Sequence, residues 1–185
     1  MGKTNCSPEF LAKFPFGKVP AFEGADGTNL FESDAIAHYI AESGPASGQL
    51  LGTTPAQRAV IRQWICFADG EVTAPVVQMV VWRMGIREYD EKTENAALQK
   101  LERSLSLLEN HLKGRTWFAS DDKLSLADIT LASALFWGFS MVIDEEMRKK
   151  YPNVVAWYER TLDTDGVKQA FGEKTFVDKR QTHQG

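Results

Sequence analysis

Between Leu126 and Ile143 the chain carries a single charged residue, Asp128. The apolar part of this stretch, Ile129 to Ile143, is 15 residues long and is interrupted by Thr130, Ser133, Gly138 and Ser140. It falls short of the ~20 residues a helix needs to cross a bilayer, and it suits a helix buried inside a protein core. Its start is well marked. Ser125 and Asp128 form a capping pair, and Leu124 and Ile129 are spaced to staple across it. A carboxylate alone among apolar residues needs donors, so Asp128 is expected to serve the backbone as a structural cap with Ser125 rather than to act in catalysis.

Such a helix needs covering helices, and the surrounding sequence supplies them. Thr54-Pro55 opens a long helix carrying Val60, Ile61, Trp64 and Phe67, with a kink expected at Pro75, which removes one ladder bond. Leu98, Leu101, Leu105, Leu108 and Leu112 recur at alternating spacings of three and four, the apolar stripe of a packed helix. Pro152 sits just inside a further helix with Val154, Val155, Trp157 and Tyr158. Gly166 punctuates before a last amphipathic segment that ends near Phe176, and Asp178 to Gly185 reads as a polar tail. Helices are thus expected near 55–84, 90–113, 125–143 and 151–164.

The beginning of the chain is different in kind. Gly17-Lys18-Val19-Pro20-Ala21-Phe22 reads as a short strand with an X-Pro bond, Asp26-Gly27 as a turn, and the residues up to Phe31 as a second strand. Glu32-Ser33 then leads into a helix. An X-Pro bond adopts the cis form at a cost of about 0.5–1 kcal/mol. A cis Val19–Pro20 bond would turn the Val19 N–H and C=O outward, where an extended ligand could pair with them. Ser33 is placed to cap a helix starting at Asp34, where its hydroxyl and the first free N–H groups suit a carboxylate. Glu32 suits an ammonium. Taken singly, each feature is better explained by an edge proline or an ordinary cap; in this order and spacing the preference reverses toward a peptide-thiol site.

Composition narrows the function classes. The chain has 185 residues, 43% hydrophobic and 25% charged, enough for one compact unit or two small domains. A net charge of −4 leaves no basic footprint for nucleic acid. Cys6 and Cys66 match no metal or redox spacing and read as free thiols of a reducing, cytoplasmic compartment. His38, His111 and His183 are scattered, so no metal site is expected, and the N-terminus has neither an apolar signal segment nor a myristoylation pattern. Neither membrane nor direct nucleic-acid contact is expected. Composition shifts at Ser43 to Thr54, where Gly44-Pro45, Ser47-Gly48 and Gly52 suggest a linker. The domains are therefore read as 1–43, a linker at 44–53, and an all-helical domain at 54–185.

Several segments carry a resemblance. Thr4 to Pro15, Gly17-Lys18-Val19-Pro20-Ala21-Phe22-Glu23-Gly24, Phe31-Glu32-Ser33-Asp34-Ala35-Ile36-Ala37, Gln63-Trp64 with Phe67-Ala68-Asp69, and Leu126-Ala127-Asp128-Ile129-Thr130 resemble the glutathione transferase superfamily. Within it they are most similar to the transferase-like domain of the gamma subunit of translation elongation factor 1. Ordinary transferases often have Asn where Phe14 stands here. The resemblance implies a mainly α fold, with a transferase-like all-helical domain preceded by a partial thioredoxin-like α/β segment. It also carries over Val19, Pro20, Glu32 and Ser33 as glutathione-contacting positions, with Lys18 a weaker candidate for the glycine carboxylate.

Two departures shape the expected activity. A βαβ unit needs about 30 or more residues, and only 17 precede Lys18. The parallel strand pair and the thiol-activating residue that the resemblance implies are therefore not expected, and neither Cys6 nor Ser7 is read as a substitute. Holding a thiol does not ionise it. The expectation is a non-catalytic interaction domain of the elongation factor 1 gamma type with at most weak glutathione binding. Its implied partners are the nucleotide-exchange subunit of that complex and a second copy of the chain. The alternative is a glutathione transferase conjugating glutathione to electrophiles. No cofactor is implied beyond glutathione as ligand or substrate. The second departure is at the far end, where a gamma subunit continues through a charged linker.

Overall fold

The computed structural model describes residues 2–183. Ser7 accepts a hydrogen bond from the Phe10 N–H (3.2 Å) and caps α1, Pro8–Lys13. Two short strands follow, β1 (Ala21–Glu23) and β2 (Asn29–Phe31), paired antiparallel with Ala21 opposite Phe31 and Glu23 opposite Asn29. The turn between them is held by the Gly24 N–H donating to the Thr28 carbonyl (2.8 Å) and the Thr28 N–H donating to Asp26 Oδ1 (3.0 Å). Hydrogen bonding from the Thr28 backbone N–H first, and from its side chain next, holds the Asp26 carboxyl below its ordinary range. Lys13 joins α1 to β1 through Glu23 at 2.6 Å. A two-stranded hairpin is marginal alone, and this one leans on α2 (Ser33–Ser43), which packs in turn on the helical bundle.

The stretch read as a linker contains a short helix, α3 (Ser47–Leu51), with Leu51 buried. Beyond it, a capping box between Thr54 and Gln57 opens α4, Pro55–Phe67. The expected kink takes a specific form: a π-helical turn at Ala68–Thr73 precedes α5, Ala74–Arg83. Pro75 has no N–H to give to the carbonyls of Gly70 or Glu71, five and four residues back. Lys100 Nζ donates to Gly70 (2.9 Å) and the Ser104 hydroxyl donates to Glu71 (2.9 Å) instead. The rod from Pro55 to Arg83 is long and apolar enough, by length and composition, to span a bilayer. Its Ile61, Trp64, Ile65, Val76, Met79 and Val80 are nevertheless buried in the core.

Asp90 caps α6 (Glu91–His111) by accepting from the Thr93 N–H at 2.7 Å. Leu101, Leu105, Leu108 and Leu112 are buried as their spacing predicts. The central helix α7, Leu126–Met141, is packed by the π-turn, α2, α3, α4, α5 and α9 (Pro152–Asp163), and α8 (Glu145–Lys150) packs on α9. A Cβ at Gly138 would stand 3.3 Å from side-chain atoms of both Val76 and Ile143, so the absence of a side chain sets the closeness of α7 to α5. Asp128 is fully buried and does more than cap. Its Oδ2 accepts from the Ser125 N–H (2.8 Å) and hydroxyl (2.9 Å), while Oδ1 accepts from the Phe118 N–H and Trp157 Nε1, both at 3.0 Å. The capping role of Ser125 and Asp128 thus extends to a tie between α7, α9 and the loop before α7.

After α10 (Val167–Phe171) the chain does not trail away. Phe176 packs edge-on to Phe139, the Val177 N–H donates to the Phe139 carbonyl (2.9 Å), and Arg83 donates to the Gln181 carbonyl (2.9 Å). The segment read as a polar tail is therefore docked through residue 183, where His183 stacks on Tyr89 with ring centres 4.3 Å apart. Residues 184–185 of that reading lie outside the described residues.

Candidate functional site

The register of the hairpin brings the two halves of the sequence motif together. Ala21 opposite Phe31 is the last pair of the hairpin, and Pro20 and Glu32 are the residues that adjoin it. The Val19–Pro20 bond is cis and Val19 is half exposed. On the other strand, Glu32 has φ +74°, and among the described residues it is the one non-glycine in that region. L-residues rarely sit there, and when they do the surrounding structure holds them. The consequence is a sharp change of direction directly into α2.

One expectation is corrected here. Glu32, not Ser33, occupies the N-cap of α2, and Ser33 is the first helical residue, with no side-chain capping bond. The left-handed conformation of Glu32 advances the helix by one residue. The first ladder bond runs from the Ile36 N–H to the Glu32 carbonyl (3.1 Å). The N–H groups of Ser33, Asp34 and Ala35 lie ahead of that bond and have no helical carbonyl to meet. They form the positive end of the helix dipole.

These residues open onto a groove of about 690 Å³ between α2 and the α4 side of the bundle. Glu32, Ser33, Asp34 and Ala35 line one end, with His38 and Glu42 further along α2 and Arg62 and Asp69 on the opposite wall. Burial is the largest influence on Asp34 and pushes its carboxyl up from 3.8, with Asp69 and Glu32 adding in the same direction and Arg62 opposing them. The groove therefore pairs exposed N–H donors, which suit a carboxylate, with a group of carboxylates, which suit an ammonium. A zwitterionic amino-acid end meets both requirements at once.

Of the residues singled out in the sequence, Glu32 and Ser33 line the groove, and the hairpin register places Pro20 beside them. Val19 and Lys18 do not line it, and Lys18 Nζ lies over the Phe16 ring, 4.7 Å from its centre. Arg62, Asp69 and Asp34 were not picked out as site residues. Arg62 and Asp69 stand seven apart, which puts them on one helical face, but an exposed polar face is the usual state of a surface helix. Only the packing of α2 against the bundle makes it a wall.

Comparison with known proteins bears on this geometry. The model of the glutathione S-transferase C-terminal domain matches residues 70–164 and that of the N-terminal domain residues 2–42. A glutathione S-transferase-like protein of a Fusarium species is 54% identical over 97% of this chain and 82% of its own length. The elongation factor 1-gamma of Danio rerio is 39% identical over 96% of this chain, which spans 39% of that longer protein. Among solved structures, the transferase-like domain of elongation factor 1-gamma from Saccharomyces cerevisiae superposes with a TM-score of 0.86 at 28% identity, covering 96% of this chain and 83% of that one. A glutathione S-transferase with bound lactoylglutathione superposes with a TM-score of 0.78 at 29% identity, covering 90% and 80%.

Proposed function

The chain belongs to the glutathione S-transferase family, and on that premise we propose that the groove at the N-terminus of α2 holds glutathione by its γ-glutamyl end. The observation that carries this reading is the left-handed Glu32, which delivers Ser33 and the free N–H groups of α2 to the groove rather than to a capping side chain. The γ-glutamyl carboxylate meets the Ser33 hydroxyl and the N–H groups of Ser33 and Asp34. Its ammonium lies toward Glu32 and Asp69. The amide and carbonyl of the exposed Val19, beside the cis bond, pair with the cysteinyl backbone, and Lys18 needs to leave Phe16 to reach a carboxylate. The chemistry asked of the described residues is binding and orientation of the peptide.

A second reading has its own support. The high structural similarity to the transferase-like domain of elongation factor 1-gamma favours a scaffold role, in which the same fold docks a nucleotide-exchange subunit and the groove holds glutathione weakly or structurally. The relatives described as glutathione S-transferase-like, which reach higher identity, favour conjugation of glutathione to an electrophile. Titration calorimetry with glutathione tests the shared premise. Wild type should bind, and Ser33→Ala should weaken binding about tenfold, the loss of one charge-assisted hydrogen bond. Equal binding by wild type and Ser33→Ala would reject the placement. Steady-state conjugation to a chlorinated aromatic, run on the same proteins, separates the two readings. Saturable turnover above the uncatalysed rate supports the transferase, and its absence beside intact binding supports the scaffold.

A further inference from the structure

Asp69 lines the groove without local support. Among the described residues nothing hydrogen-bonds its carboxylate or pairs with it as an ion, so the course of the backbone alone aims it. That backbone is the π-turn Ala68–Thr73. Its width is visible in what it buries. Trp64, Ala68, Val72 and Val76 all face the core, four residues apart each time. An α-helix has about 3.6 residues per turn, so such a row would drift by ~40° at every step. A π-turn, bonded over five residues, takes up that drift. Asp69 follows Ala68 on the wide turn and reaches the groove.

The turn is kept wide largely from α6. Pro75 offers no N–H to the carbonyls behind it. The Ser104 hydroxyl donates to the Glu71 carbonyl at 2.9 Å, and Lys100 Nζ donates to the Gly70 carbonyl at 2.9 Å while standing 3.6 Å from the Glu71 carboxylate. Within the turn, the Thr73 hydroxyl reaches back to the Ala68 carbonyl at 3.0 Å. Ser104 is the buried member of the α6 pair, 4% exposed, so water does not replace it. Without its hydroxyl the Glu71 carbonyl loses a partner in the core, and the turn recovers one only by changing its own pitch. Asp69 moves with it.

We propose that Ser104 of α6 is a positioning residue of the groove: by holding the Glu71 carbonyl it fixes the π-turn, and through the turn it aims the Asp69 carboxylate at the ligand's ammonium. Ser104 itself lines no part of the groove and touches no ligand. The inference rests on the reading of the groove as the glutathione site, in which Asp69 faces the amino group of the γ-glutamyl end.

Two readouts separate positioning from a general loss of stability. The first needs no ligand. Burial first and Asp69 next raise the Asp34 carboxyl, with Glu32 adding and Arg62 opposing. Carbon-13 NMR titration of Asp34 in the unliganded protein should show its pKa lowered in Asp69→Asn and moved in the same direction in Ser104→Ala. Thr161→Val removes another buried hydroxyl, bonded to the Trp157 carbonyl at 2.9 Å in α9, and should leave Asp34 at its wild-type value. An Asp34 pKa in Ser104→Ala that stays at or above wild type would overturn the proposal. The second readout is calorimetry with glutathione and with glutaryl-cysteinylglycine, which is glutathione without its amino group. Ser104→Ala should weaken glutathione about threefold and the deaminated peptide less than about 1.5-fold. The double variant Ser104→Ala/Asp69→Asn should bind glutathione as Asp69→Asn does, since a residue acting through Asp69 then has nothing to act on. Equal losses for the two peptides, or additive losses in the double variant, would also overturn it and leave Ser104 a packing residue. No glutathione binding by wild type beside a shifted Asp34 titration would reject the glutathione reading of the groove and still support the link from Ser104 to Asp69.

Discussion

Asp128 and Asp34 are both buried or half-buried carboxylates near helix N-termini, and their environments push them toward opposite roles. Asp128 accepts four hydrogen bonds from three parts of the chain. Replacing it with alanine leaves the Ser125 and Phe118 N–H groups and the Trp157 indole without an acceptor in the core, a loss of about 3–4 kcal/mol. A clear fall in the urea midpoint of Asp128→Ala is expected, and an unchanged midpoint would exclude the tie. Asp34 has no such donors among the described residues and is instead disfavoured as an anion, by burial first and by Asp69 and Glu32 next. Its folded pKa is raised, so its favourable contribution to folding is present below the ordinary value of 3.8 and is lost as pH rises through the folded value. Asp34→Asn should therefore be more stable than wild type at pH 7, with the difference vanishing in acid below that value. Denaturation midpoints across pH measure this directly.

At the scale of elements, interruptions are repaired by neighbours. The Pro75 ring leaves carbonyls at Gly70 and Glu71 that α6 satisfies through Lys100 and Ser104. The Lys100 side chain is 42% exposed and replaceable by water, but Ser104 is buried. Ser104→Ala should cost about 1–2 kcal/mol in chemical denaturation, and Lys100→Ala distinctly less. The start of α9 follows the same logic. Pro152 brings no N–H, and Glu109 of α6 accepts from the Val154 N–H (3.0 Å) and the Asn153 N–H (3.2 Å) in place of a local cap. Both repairs come from α6, which explains how one amphipathic helix fixes the course of two others.

For the whole molecule, the two ends of the chain are attached by different means. The α/β segment reaches the bundle through α2, and the groove lies along that junction. The C-terminal segment is fastened through Arg83, whose side chain is only 3% exposed. Arg83 contacts Glu94 at 2.6 Å, lies over the Trp82 ring and donates to Gln181, while Trp82 Nε1 donates to Glu94 at 2.9 Å. Arg83→Ala leaves the Glu94 carboxylate largely enclosed without its cation, at a cost of about 3–5 kcal/mol. It should also release the segment after Phe176 to limited proteolysis well below the melting temperature. Resistance equal to wild type would show that Phe176 on Phe139, and Arg148, which donates to the Val177 carbonyl and lies over the Phe176 ring, suffice to hold it.

Local physics explains what was legible beforehand. The helices came from apolar spacing and from caps at Thr54 and Ser125, and the hairpin from Pro20 and the Asp26-Gly27 turn, each a matter of residues within a few positions of one another. Glu32 and Ser33 were recognisable for the same reason. Other features depend on residues far apart in sequence. The positive φ of Glu32, which moved the cap from Ser33, is maintained by the packing of α2 and the hairpin rather than by any local preference of glutamate. Asp69 and Arg62 became a groove wall and residues 176–183 a docked strap only when the helices came together. The sequence by itself determined which segments are helical and how they start; the tertiary structure decided which of their polar faces meet one another, because burial and pairing are properties of the assembled surfaces and not of any one segment.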